Sequence, residues 1–401
     1  MTTAPTQLFD PSLHEPLVER PWSTAVALEG AAEIARDALD AARDSLWPLH
    51  RDDTQDDDDF DQATCLYFGA AGVALALDWL AREIDTPRPA TVPDLFGRIR
   101  DLHASNPPFT PSPSSWLIGR SGVAAAMTVL DDGSMDRVLH EAATVIDNPS
   151  HDPLTGAGHA LLGLLSLIDL HPGDARLVDL FRTGVARELD ELQPGPADCE
   201  MWNVDLYGNP KWMIGAGHGA AGTLQPMLRG ARLLSTDTNT RVLRVARELV
   251  AATVLREGDC ANWPPASASD DIKRPVQWCH GAPGIVLALA DAARDDDATR
   301  ALLVAGGELT WRAGPLVKGS TICHGTSGSA LALLQLFDLT GDELWLDRAR
   351  RLALHALDQV RRRRAEVGHG RYSLMTGDLG VAACLVQCER ARPGIVGLDL
   401  L

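Results

Sequence analysis

The chain has 401 residues, 45% hydrophobic and 23% charged, enough for a sizeable core in one large repeat-built domain or in two or three smaller ones. A formal net charge of -19 argues against a nucleic-acid partner and fits a cationic peptide or protein, or plain solubility, equally well. Only 5% of residues are aromatic, and Ala and Leu dominate, which favours helix over strand.

The first residues, Met1 to Pro5, lack the basic and apolar regions of a signal peptide. No apolar run approaches the ~20 residues of a membrane span. The best, Ala160 to Leu170, is too short and contains Asp169. The expectation is a cytoplasmic protein without a transmembrane segment. In that reducing compartment its seven cysteines (65, 199, 260, 279, 323, 384 and 388) serve metals or catalysis more often than disulfides.

Residues 1–26 read as an N-terminal arm, polar, proline-bearing and loosely held up to residue 22. Residues 27–401 read as one domain, with no linker inside it. Ala27 to Trp47 has helical apolar spacing. The acidic stretch Asp52 to Asp61 reads as a solvated connector.

A Gly-x-x-Gly turn followed by small apolar residues begins at Gly69 and recurs at Gly119, Gly219, Gly281, Gly325 and Gly377. A degenerate copy at Gly156 ends in His159. Successive first glycines are 37 to 63 residues apart, room for two helices each. The helix after each turn is almost wholly apolar and predicts burial on most sides. The helix before the next turn is amphipathic, as in Ala175 to Leu192, Thr240 to Leu255, Asp297 to Arg312 and Asp342 to Arg364. Seven apolar helices inside seven amphipathic ones predict an all-α fold, a closed α/α toroid with its turns converging on one mouth. Arg361 to Arg364 falls at an outer-helix C-terminus, where the macrodipole favours cations. The stretches Pro107 to Ser115 and Asn262 to Pro275 read as long connections near the mouth. No segment has convincing strand periodicity.

Two turns carry a Cys-His pair: Trp278-Cys279-His280-Gly281-Ala282-Pro283-Gly284 and Ile322-Cys323-His324-Gly325-Thr326-Ser327-Gly328. Thiolate and imidazole are the usual ligands of zinc. Two pairs in one repeat frame point to two equivalent loops meeting at one metal. A buried cysteine is commonly just a small hydrophobe, but these stand beside the turns and outside the apolar runs. Cys279, Cys323 and His324 leave a fourth tetrahedral position open, as catalytic zinc requires. Two thiolates and a neutral imidazole cancel the metal's charge. Such a set suits a sulfur nucleophile better than water, although the same set also polarises alcohols in some dehydrogenases.

His218 precedes Gly219 as His280 and His324 precede their glycines, so it is placed to move protons on a neighbouring loop. Gly217, Gly219 and Gly222 also fit a dinucleotide fingerprint, but no strand precedes them and they belong to the repeat. Asp152, just before the third turn, is a loop carboxylate suited to orienting a histidine, though such residues are also common before turns for local reasons.

These turns and the two Cys-His motifs resemble the lanthionine synthetase C-like family, the lanthipeptide cyclases, over roughly residues 27 to 390. The resemblance implies an α/α toroid with one zinc per chain, held by Cys279, Cys323 and His324. It places the family's catalytic His at His218 and its catalytic Asp at Asp152. His280 stands where the bacterial cyclases often have Tyr, as in the eukaryotic and multidomain relatives. The family's catalytic Arg has its nearest counterpart in Arg274, one residue out of register. The small β-rich extension of some bacterial cyclases is not visible.

The expected activity is Michael-type addition of a peptide cysteine to dehydroalanine or dehydrobutyrine in a dehydrated precursor peptide. No dehydratase or lyase region is present, so a separate enzyme would prepare that peptide. The alternative within the family is addition of glutathione to dehydroamino acids in proteins, which His280 favours. More distant alternatives are a helical-toroid glycosidase, which needs two loop carboxylates and no metal cysteines, and an inactive scaffold.

Overall fold

The computed structural model describes residues 8–42, 46–53, 62–105, 112–131, 133–205, 208–267 and 274–401. Parts of the acidic stretch and of both long connections, at 54–61, 106–111 and 268–273, lie outside the described residues.

Fourteen α-helices alternate between two rings among the described residues. The inner helices are α2 (Ala70–Glu83), α4 (Arg120–Asp131), α6 (Ala157–Leu170), α8 (Ala220–Arg229), α10 (Ala282–Leu289), α12 (Thr326–Thr340) and α14 (Asp378–Arg390). The outer helices are α1 (Thr24–Ala41), α3 (Leu95–Ser105), α5 (Met135–Ile146), α7 (Ala175–Asp190), α9 (Thr236–Thr253), α11 (Asp297–Ala313) and α13 (Glu343–Val367). Each inner helix packs on the next, and α14 packs on α2, so the inner ring closes. The toroid expected from the repeats is the fold observed. Among the described residues no helix is long and apolar enough to cross a membrane.

The two rings start their helices differently. Five outer helices use side-chain caps: Ser23, Asp174, Ser235, Asp296 and Asp342 each accept a first-turn amide. Inner helices start at glycine without a side-chain cap. Their first amides reach back into the preceding loop instead. Ala220 and Ala221 donate to the carbonyls of Met213 and Ile214, and Thr326 and Ser327 to those of Gly319 and Ser320. This tight return explains the second glycine. A Cβ on Gly284 or Gly328 would collide with the carbonyl oxygen of Trp278 or Ile322.

Three differences from the sequence reading stand out. Residues 8–22 are strapped down, not loosely held. Leu8 and Phe9 are buried. The Glu15 amide donates to the Pro315 carbonyl (2.9 Å), and its carboxylate accepts from His355 Nε2 (2.6 Å) and Gln359 (2.9 Å). These partners lie at the far end of the chain, so local polarity concealed them.

Short antiparallel hairpins occupy two connections. They pair β1 (Gln193–Pro194) with β2 (Glu200–Met201), β3 (Val204–Asp205) with β4 (Pro210–Lys211), and β5 (Leu255–Glu257) with β6 (Cys260–Asn262). Strands of two or three residues are too short to show a period.

Third, the tail after α14 turns into the ring. Ile395, Val396 and Leu398 are fully buried, Trp116 Nε1 donates to the Gly397 carbonyl (2.8 Å), and Ser166 Oγ donates to that of Leu398 (2.9 Å). The arginine run of α13 is structural: Arg361 to Arg364 pair with Glu33, Glu15, Asp52 and Asp378.

Candidate metal centre

The loops before the inner helices are laced together by their backbones. In five of them the residue two before the first turn glycine donates its amide to the same position of another loop. Gly217 donates to Cys279 (3.1 Å), Cys279 to Cys323 (3.3 Å), Cys323 to Met375 (3.0 Å), Met375 to Tyr67 (2.9 Å) and Tyr67 to Leu117 (2.8 Å). Cys279 and Cys323 are therefore neighbours on this circle, one repeat apart.

The third repeat departs from it. The amide of Leu154, in the same frame position, donates to Asp152 Oδ1 (3.2 Å). Asp152 Oδ2 accepts from Thr155 Oγ1 (3.0 Å), and Oδ1 also accepts from His218 Nδ1 (3.1 Å). Asp152 is fully buried. His159, which replaces the turn's last glycine, is also fully buried; its Nε2 donates to the Ala216 carbonyl (3.2 Å) and its ring stacks on Trp278. Burial lowers its pKa to about 4, so it is neutral at physiological pH and braces the loop that carries His218.

The ligand atoms of Cys279, Cys323 and His324 all lie within 4.8 Å of one another, with both cysteines buried. Tetrahedral zinc with bonds of ~2.3 Å to sulfur and ~2.0 Å to nitrogen separates those two atoms by ~3.5 Å. Cys323 Sγ and His324 Nε2 are 3.6 Å apart. A hydrogen bond with Cys323 holds the Cys279 thiol well below its ordinary range, against burial. Burial, then the Cys279 sulfur, pushes Cys323 well above it. The pair gives up one proton readily and the second with difficulty, and a divalent cation supplies the charge that removes the second. The residues fit a metal of zinc's kind.

The other expected site residues fall unevenly. His280 stacks on His218 at 5.6 Å between ring centroids, and its Nδ1 is buried without a hydrogen-bond partner. Burial pushes its pKa down. Burial also pushes on His218, but the hydrogen bond and charge of Asp152 outweigh it and hold the imidazole above the ordinary 6.5. Asp152, His218 and His280 thus line up beside Cys279. Arg274 directly follows the segment 268–273, and its Nε is buried without a hydrogen-bond partner. No hydrogen bond or ion pair joins it to these residues among the described ones.

Two neighbours escaped the sequence reading. Gln277 Nε2 donates to Cys279 Sγ (3.0 Å), and the Tyr67 phenol lies close enough to the Cys323 sulfur to pull its pKa down against burial. Tyr67 occupies the same frame position as Cys279 and Cys323, and that equivalence was the available signal. A cleft of about 690 Å³ opens beside His324, lined by cations such as Lys318 and Arg371 and by the carboxylates of Glu15, Asp52, Glu366 and Asp378.

Residues 61–393 match the model of the family described as lanthionine synthetase C-like protein. The chain is 31% identical to LanC-like protein GCL1 of Arabidopsis thaliana over 242 residues, 58% of this chain and 53% of that protein. It is 28% identical to Glutathione S-transferase LANCL1 of Danio rerio over 183 residues, 45% of this chain and 44% of that protein. The matches thus span about half the length of these curated relatives.

Proposed function

This chain belongs to the lanthionine synthetase C-like family, and from that premise we propose that it is a zinc-dependent enzyme that joins a thiol sulfur to the β-carbon of a dehydroamino acid. Glutathione is the favoured thiol. The observation that carries the chemistry is the convergence of Cys279, Cys323 and His324 beside the Asp152–His218 pair. The name of the Danio rerio relative moves the thiol source from a peptide cysteine, the first expectation from sequence, to glutathione. The family description supports ring closure in a precursor peptide as the second reading.

Zinc held by Cys279, Cys323 and His324 would favour the anionic form of a substrate thiol, which otherwise has a pKa of ~8.5. The addition breaks the thiol S–H bond and the C=C π bond and forms S–Cβ and Cα–H bonds. His218 supplies the proton to Cα. Asp152 accepts from Nδ1, which leaves Nε2 to face the substrate. The thiol proton restores the imidazolium or leaves to solvent. His280, stacked on His218, restricts the swing of its ring. Lys318, in the wall of the cleft beside His324, offers a cation for a carboxylate of glutathione, whereas Arg362 and Arg371 are already paired with Glu15 and Asp53.

Mass spectrometry separates the readings. Incubation with glutathione and a dehydroalanine peptide that lacks cysteine should give a one-glutathione adduct. No adduct, with enzyme-dependent loss of alkylatable thiol in a dehydrated cysteine-bearing peptide, would favour the cyclase. Neither product from zinc-loaded protein would defeat both.

A further inference from the structure

The sulfurs of the proposed centre are not bare. Gln277 Nε2 lies 3.0 Å from Cys279 Sγ. The backbone amide of Gln277 donates to the His280 carbonyl (3.1 Å), closing a turn that folds the side chain back over the cysteine. On the other side, Cys323 donates to Met375 and Met375 to Tyr67, which brings the phenol round the circle to Cys323. The Tyr67 ring is braced edge-on by Phe68 at 5.8 Å. Cys279 thus has a neutral donor from its own loop, and Cys323 faces the phenol of Tyr67 from another.

We propose that Gln277 and Tyr67 are positioning residues for the metal, each donating a hydrogen bond to one ligand sulfur and drawing off part of its charge. The inference rests on the zinc reading above. Two thiolates and an imidazole form an electron-rich set, and a donor on each sulfur lowers its basicity. Each donor also holds its cysteine side chain in the orientation that binding requires. Partners of this kind typically change metal affinity by ~10–100-fold.

The test uses full-length holoprotein, Gln277→Met and Tyr67→Phe. Neither substitution touches the backbone bonds of the loops. Zinc affinity is measured by competition with a chromophoric chelator, and the sulfur-to-cobalt charge-transfer band is recorded after replacement with Co²⁺. Each variant should lose ~10–100-fold in zinc affinity, with the cobalt band moved to longer wavelength because the freed sulfur is easier to oxidise. Gln277→Glu, which presents a carboxylate to the same sulfur, should lose more than Gln277→Met. A folded Gln277→Met protein with wild-type affinity and an unmoved band overturns the proposal, whatever Tyr67→Phe does. Wild-type protein that binds no zinc would instead defeat the reading beneath it.

Discussion

His218 Nδ1 and Asp152 Oδ1 are 3.1 Å apart, and they come from loops 66 residues apart in sequence. The carboxylate is fully buried, and the same oxygen accepts the Leu154 amide. The third loop therefore spends its amide on an aspartate where five others bond to a neighbouring loop. The repeat is broken at the position where a buried carboxylate meets His218.

This pair makes a pH prediction. Burial lowers the His218 pKa, and Asp152 more than reverses that. A proton donor works below its own pKa, so the basic limb of the wild-type rate profile should lie above 6.5. Asp152→Asn removes the charge and leaves burial in command. The limb should move to lower pH, and above it the protonated donor falls ~10-fold for every pH unit that the limb moves. A profile of kcat against pH is the check. A basic limb in the same place as wild type would separate Asp152 from the proton step.

The buried tail makes a stability prediction. Leu398 is fully buried, and its carbonyl accepts from Ser166. Leu398→Ala should cost about 2–5 kcal/mol, measured by urea unfolding, with zinc stoichiometry unchanged. A loss below about 1 kcal/mol, well under the range for a buried leucine, would mean that the tail is not part of the core.

The ring architecture was legible because it is written locally. A glycine six residues after a carbonyl that would clash with any Cβ recurs along the chain, and each turn launches an apolar helix. The candidate metal ligands were legible because Cys279 and Cys323 share a frame position. Tyr67 shares it too, but its loop meets Cys323 only because α14 closes on α2, a contact between opposite ends of the chain. Gln277 was hidden differently: its turn folds its side chain back on a residue two positions away. The strap at 8–22 has no apolar period and is held by polar contacts to α13 and the loop before Cys323.

That strap gives a second stability prediction. Glu15 binds His355, Gln359 and Arg362 together. Burial acts to raise its pKa, but these partners lower it below the ordinary 4.5. Its contribution is therefore complete above pH 4.5 and is lost as pH falls through the lowered value. Glu15→Ala should cost about 1–3 kcal/mol at neutral pH. The gap between the two proteins in thermal unfolding should narrow as pH drops below 4.5. A gap that widens on acidification would reverse the sign and remove Glu15 from that role.

Substitution at His218 separates the proposed proton transfer from metal binding. It precedes its turn glycine as His324 does, but the residue before it is Gly217, where the other loops have Cys279 and Cys323. Its Nδ1 is engaged by Asp152. His218→Asn should therefore keep the fold and a full equivalent of zinc, while Cys279→Ala should lose the metal and the activity together. General acid–base groups typically contribute ~10²–10⁴-fold, and that is the expected fall in kcat for His218→Asn. On the proposed reading, glutathione should bind the variant with little change, since Cys279, Cys323 and His324 would hold the metal that meets its sulfur and Lys318 would meet a carboxylate. Wild-type turnover in His218→Asn would remove it from the chemistry. Loss of zinc would make His218 a ligand, and His280, stacked on it at 5.6 Å, would become the proton donor to test next.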